Sequence, residues 1–138
     1  MIRAAELRDI PALLEMGRKF SEKAKLESNV GYDPHSMVQT FDRMIAGGEP
    51  VFIGERGAIG AVTFEHPFNF EHKGAQELFW WSEGREGVAL LKVLMAYCEQ
   101  HCDSLVMITL EAIRPEATGR LYERLGFAPL EHSYVKVF

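Results

Sequence analysis

The stretch Trp80-Trp81-Ser82-Glu83-Gly84-Arg85-Glu86-Gly87-Val88-Ala89 constrains this chain most. An apolar strand ends there and a helix begins, with Gly84, Gly87 and Ala89 at the joint and Arg85 among them. A helix start leaves its first backbone N–H groups without partners and gathers the positive end of the helix dipole. Small side chains let an anion approach that backbone closely. The turn is therefore a candidate anion cradle, although a Gly-x-x-Gly-x-Ala string by itself serves a plain strand-to-helix turn equally well. The dinucleotide fingerprint requires G-x-G-x-x-G, and the phosphate loop of nucleotide hydrolases requires a Gly-Lys-Ser/Thr ending. Neither is present.

Around this joint the periodicity predicts one α/β unit covering residues 1–138, with no repeat, low-complexity tract or linker. Residues 2 to 5 read as a short strand. A helix follows with Asp9 as N-cap and Pro11 in its first turn, carrying Ile10, Leu13, Leu14, Gly17, Phe20 and Ala24 on one face. Asp33-Pro34 announces a second helix that stops at Gly47-Gly48. Residues 51 to 55 and 58 to 65 read as strands joined at Arg56-Gly57. Residues 67 to 74 read as a longer loop, and residues 77 to 81 as the next strand. The helix after the cradle, residues 87 to 101, is apolar apart from Lys92, Glu99 and neighbouring polar positions, so it reads as largely buried. The apolar run 105 to 110 suits a strand inside a sheet. Pro115 opens a short helix that ends at Gly126, and residues 134 to 138 read as a final strand. The predicted order is β-α-α-β-β-β-α-β-α-β: a mixed sheet with helices packed on it.

Composition narrows the function. Fifteen Lys and Arg against twenty Asp and Glu give a formal charge of −5, which argues against a nucleic-acid surface. No apolar run is long enough to span a bilayer, and the first residues lack the layout of a secretory signal, so the expected location is the cytoplasm. Cys98 and Cys102 lie one helical turn apart, which suits core packing rather than a disulfide. The five histidines show no metal-ligand spacing, and no metal site is expected.

The second informative stretch is Ala117-Thr118-Gly119-Arg120-Leu121-Tyr122-Glu123-Arg124-Leu125-Gly126-Phe127. Ala117, Leu121 and Leu125 form an apolar line, with Tyr122 at its edge. Taken alone, this tyrosine reads as a packed amphipathic side chain. Gly119 inside the helix costs about 1 kcal/mol relative to alanine, which predicts a close approach there.

With this stretch the chain resembles the GNAT superfamily of acyl-CoA-dependent N-acetyltransferases. Three segments carry the likeness in the family's order. Ile2 to Ala5 followed by Asp9 to Leu14 is similar to its opening strand and helix. Gly84-x-x-Gly87-x-Ala89 is similar to its pyrophosphate motif, Gln/Arg-x-x-Gly-x-Gly/Ala. Ala117, Tyr122, Gly126 and Phe127 match its late motif. The chain departs from the pattern at Gly84, where the family has Gln or Arg, at Trp81, often Pro, and at Arg114, commonly Asn.

The resemblance implies acetyl-CoA as cosubstrate, without a metal. Its pyrophosphate would lie on the backbone of Gly84, Arg85, Glu86, Gly87, Val88 and Ala89. Its pantetheine arm would run beside Phe79, Trp80 and Trp81, in a slot where that strand splays from the next one, with a backbone N–H near Phe79 or Trp80 facing the thioester oxygen. Tyr122 is then the candidate catalytic acid for the CoA thiolate. Glu65, His66, Glu77 and Glu111 lie near the cleft in sequence order, and none is assigned as base. The expected partner is a small-molecule or peptide amine, shaped by residues 20 to 48 and 65 to 74. The second of these segments is aromatic and flanked by acids, a composition that suits a cationic amine or an ordinary packed loop. A homodimer through the C-terminal strand is a further expectation. A non-catalytic acyl-CoA-binding module on the same fold, and an interaction protein that binds no CoA, stay open at this point.

Overall fold

The computed structural model describes residues 1–138. The sheet has five strands in sequence order: β1 (Arg3–Ala4), β2 (Val51–Ile53), β3 (Gly57–His66), β4 (Asn69–Ser82) and β5 (Ser104–Val106). All neighbours are antiparallel except β4 and β5, which run parallel. The helices are α1 (Ile10–Ala24), α2 (Pro34–Ala46), α3 (Gly87–His101) and α4 (Pro115–Arg124).

Local chemistry sets the helix boundaries. Arg3 holds the Asp9 carboxylate with two contacts of 2.7 and 2.8 Å, and Asp9 also accepts the Glu6 N–H at 2.8 Å. This clamp ties β1 to the start of α1, so Asp9 serves the turn before the helix rather than capping the helix with its side chain. At α2, Asp33 accepts from the N–H and hydroxyl of Ser36, and Pro34 occupies the first turn. Gly126, at φ 93°, ends α4 in the left-handed conformation that glycine adopts without penalty.

Strand alternation divides the core in two. On β3, Ala58 packs on one face with Leu13, Phe41, Met44 and Phe79, under α1 and α2. Ile59 and Ala61 pack on the other with Leu90, Leu91, Leu94, Cys98 and Tyr122, under α3 and α4. Gly60 is required where it stands, because a Cβ there would collide with the Phe79 ring. Opposite Gly60 and Ala61 the register slips, pairing them with Phe79 and Glu77 and leaving Leu78 as the extra residue of a bulge.

Three expectations change. Residues 69 to 74 extend β4 into a hairpin with β3 instead of forming a long loop. The apolar run after α3 pairs only at its start, as β5. Residues 127 to 138 form no strand, leaving the outer edge of β5 unpaired, and Tyr134, Val135 and Phe138 are exposed. Cys98 is buried in the core as a free thiol, which its burial pushes up to about 12. No helix is long and apolar enough to cross a membrane, and no His, Cys, Asp and Glu group could hold a metal ion.

Candidate functional site

The site begins where β4 and β5 separate. They pair at Gly74, Ala75 and Gln76 with Ser104, Leu105 and Val106. Beyond that point β4 continues to Ser82 while β5 stops, so a gap opens toward the start of α3. Two side chains span its apex. Glu77, the residue after the last pair, accepts the Ile108 N–H at 3.3 Å, and Tyr122 from α4 donates its hydroxyl hydrogen to the Ile108 carbonyl at 2.7 Å. One residue of the irregular segment thus has its N–H and C=O held by groups from two different elements.

Glu77 is 6% exposed, and burial raises its carboxyl to about 7, against the opposing pull of the Ile108 N–H and the neighbouring Tyr122. Tyr122 is similarly buried. Desolvation, with the Glu77 carboxylate beside it, holds its phenol well above the usual tyrosine range. At neutral pH the phenol therefore carries its proton, and burial biases the Glu77 carboxyl toward its protonated form. Trp80 connects this pair to the cradle. Its ring stacks on Tyr122, centroids 6.1 Å apart, and its indole N–H donates to the Gly87 carbonyl at 3.1 Å.

In the cradle, none of the backbone N–H groups of Gly84, Arg85, Glu86, Gly87, Val88 and Ala89 has an acceptor within the chain. The first N–H in α3 with a partner is that of Leu90, bonded to the Glu86 carbonyl at 2.8 Å. Acidic side chains that would repel an anion are turned away. Glu86 accepts the Arg56 N–H at 2.6 Å and the Glu55 N–H at 3.3 Å, seating its carboxylate over Gly54 in the β2–β3 turn. Glu83 pairs with Lys19 at 2.6 Å and Arg56 at 3.5 Å. Arg85 is exposed and forms no ion pair. Six free donors and one free cation at a helix N-terminus suit a phosphate-bearing ligand.

The structure brings Trp80, the cradle and Tyr122 together on one side of the sheet and turns Phe79 and Trp81 to the other. Trp80 faces α3 and α4, whereas Phe79 and Trp81 line an apolar cavity under α1 and α2. His66 and Glu65 sit at the far, hairpin end of β3, with His66 accepting the Phe68 N–H at 3.2 Å. Glu111 is exposed in the segment before α4. Of the four candidate bases, only Glu77 belongs to the site. Its signal was a single acid within the apolar run Ala75 to Trp81.

The departures have physical readings. Gly84 does not need to be glycine: a Cβ there would meet only the Arg56 Cβ, at 3.9 Å, and its φ is not positive. Arg114 precedes α4 at φ 38°, a left-handed conformation that asparagine tolerates better than arginine. Nothing of the chain lies within 4 Å of a Cβ at Gly119, so the expected close approach is not made by the protein itself.

No family model matches the sequence, and no curated protein matches it. Solved structures do. One, described as a predicted acetyltransferase with acetyl-CoA from Clostridium acetobutylicum, aligns at a TM-score of 0.73 and 13% identity, covering 100% of this chain and 95% of that one. A ribosomal-protein-alanine N-acetyltransferase from Brucella melitensis biovar Abortus 2308 aligns at 0.70 and 17% identity, covering 100% and 99%. A transcriptional regulator from Bacillus halodurans C-125 aligns at 0.72 and 18% identity, again covering 100% and 99%. At such identities the likeness is one of fold.

Proposed function

Proceeding from a chain with the fold of the GNAT acetyltransferases, we propose that it is an acyl-CoA-dependent N-acyltransferase moving an acetyl group from acetyl-CoA to a primary amine. The observation that carries this reading is the gap between β4 and β5, with the phosphate cradle at its mouth and the Glu77–Tyr122 pair at its apex. The acetyl-CoA pyrophosphate would rest on the N–H groups of residues 84 to 89 with Arg85 beside them, and the pantetheine arm would enter the gap along Trp80.

The neutral amine attacks the thioester carbonyl, forming a C–N bond as the C–S bond breaks. Tyr122 gives its phenolic proton to the departing thiolate. Glu77, near 7 and adjacent, returns a proton to Tyr122 and regains one from solvent, into which the amine loses its own. Overall one proton passes from nitrogen to sulfur. The acceptor is a small-molecule or peptide amine. The reading carries a cytoplasmic setting, to which the free thiols of Cys98 and Cys102 are suited. A second copy as partner is supported by the unpaired outer edge of β5 and the exposed apolar residues Leu130, Tyr134, Val135 and Val137.

Thiol release from acetyl-CoA against a panel of amines tests the proposal. Amine-dependent release is the expected result. Tight acetyl-CoA binding without turnover would instead make the chain a CoA-binding module.

A further inference from the structure

We propose that the acceptor is a small primary amine carried on an aromatic or branched-alkyl group, seated in the apolar cavity between α1, α2 and β4. This rests on the acyltransferase reading above. The cavity holds about 230 Å³ and is walled by Met16, Phe20, Met37, Phe41, Leu78 and Trp81, among others. A cavity of about 150 Å³ accommodates benzene. The space here therefore fits one aromatic ring with a short arm, and is too small for an oligosaccharide. The wall also touches the sequence of the opening described above: Leu78 is the bulged residue of β4, one position from Glu77. On this reading the amine sits at the Leu78 end, against the stretch of β4 that also carries Glu77.

The electrostatics favour a carrier with no second charge. No charged side chain lines the cavity. The nearest charges on α1 are already paired, Arg18 with Glu15 and Glu22, and Lys19 with Glu83. The two hydroxyls on the wall are spent on backbone carbonyls, Tyr32 on Leu14 and Thr40 on Ser36. The remaining polar atom, the Trp81 indole N–H, is buried without a partner, and as a donor it suits a neutral oxygen and not an ammonium. A polyamine or a free amino acid would bring a second ammonium or a carboxylate into surroundings that offer it nothing. For a monoamine the same surroundings favour the neutral form, which is the form that attacks.

Gly17 lines the space, where a single Cβ would stand in ordinary contact and a longer side chain would fill it. It is a glycine in the interior of α1, where alanine would be the better helix former, and a Cβ there would already lie 3.4 Å from Tyr32 Oη, 3.7 Å from Phe41 and 3.8 Å from Met37. The test compares 2-phenylethylamine and tryptamine with spermidine and glycine as acceptors of acetyl-CoA, in wild type and Gly17→Leu. Wild type is expected to prefer the two aromatic amines by tenfold or more in kcat/KM. Gly17→Leu is expected to lose that preference mainly through KM, with acetyl-CoA affinity retained. Because Gly17→Leu risks misfolding, 2-phenylethylamine binding to wild type is also followed by NMR at the Met16 and Met37 methyl groups, where shifts are expected. Better acetylation of spermidine or glycine overturns the proposal and leaves the acyltransferase reading standing. Methyl shifts with no acetylation of any amine overturn that reading and the substrate role together, keeping only the ligand class. Neither shifts nor acetylation overturns the ligand class as well.

Discussion

The two faces of the sheet are built on opposite principles. Under α1 and α2 the contacts are apolar, from Leu13 and Phe41 to Phe79, and the nearby charges neutralise one another at the surface. Under α3 and α4 the same depth of burial holds a carboxyl and a phenol, both turned on the backbone of Ile108. A buried carboxyl is costly, and a fold retains it where it serves something other than packing. Under the proposed function the difference divides the work: the apolar face would select by shape and dryness, and the other would handle anions and protons. A substitution confined to one face should leave binding at the other unchanged.

The largest effect is expected from Tyr122→Phe. Loss of general-acid assistance costs about 10²–10⁴-fold in turnover. Acetyl-CoA affinity, read by calorimetry, should change little, because the cradle is untouched. Full activity in this variant removes Tyr122 from the chemistry.

Glu77→Gln comes next and is read through stability. The rise of the Glu77 carboxyl from 4.5 to about 7 corresponds to roughly 3 kcal/mol against the charged form. Between those values the folded chain binds more protons than the unfolded chain, so stability falls as pH rises. Wild type is therefore expected to lose stability from pH 5 to 8 relative to Glu77→Gln, with the difference levelling off above 7. Asp9, held low at about 2 by Arg3, does not titrate in this window. Parallel slopes in urea unfolding at pH 5 and 8 would place the buried charge elsewhere. The pH–rate profile should also lose an inflection near 7 in the variant.

Much of this division was legible in the sequence where local chemistry decides the outcome. Asp33-Pro34 and Gly47-Gly48 bound α2, and the apolar helix after the cradle spans Gly87–His101 as its periodicity predicts. The misses fall where a partner strand decides. Residues 69 to 73 are mostly exposed and show no alternation, yet Asn69 and Lys73 pair with His66 and Glu65 of β3 across an irregular hairpin end. Leu105 to Leu110 is equally apolar throughout, but only the part beside β4 before its departure becomes β5. Tyr134-Val135-Lys136-Val137-Phe138 has strand character yet does not add to the open edge of β5, since composition alone does not bring a segment to a partner. Within the site, Tyr122 and the cradle were carried by motif. Glu77 was visible only as an isolated acid, because what distinguishes it, its burial against Ile108 and Tyr122, is tertiary.

The smaller effects lie in the cradle. Ala89 is exposed in the first turn of α3, so Ala89→Glu adds a negative charge where a plain helix would welcome it. Melting temperature should hold or rise, while acetyl-CoA affinity falls about tenfold through repulsion of the phosphates, a change of about 1.4 kcal/mol. Opposite signs in the two measurements separate a ligand site from a structural helix start; unchanged affinity would remove the pyrophosphate from this turn.

Gly84→Arg runs the other way and is the mildest of the four. The position has room for a side chain and an ordinary backbone conformation, so the substitution should fold without strain. A cation beside a phosphate near a helix start is worth a few tenths to about 1 kcal/mol when exposed, which is a gain of about two- to fivefold in acetyl-CoA affinity. Because the site is open to solvent, that gain should shrink as salt is raised from 50 to 500 mM, values chosen to take the screening length from above to below about 10 Å. The aromatic-amine KM should not move, since nothing on the α1 and α2 face is altered. An equal gain at both salt concentrations would mean that the arginine acts by reshaping the turn and not by its charge.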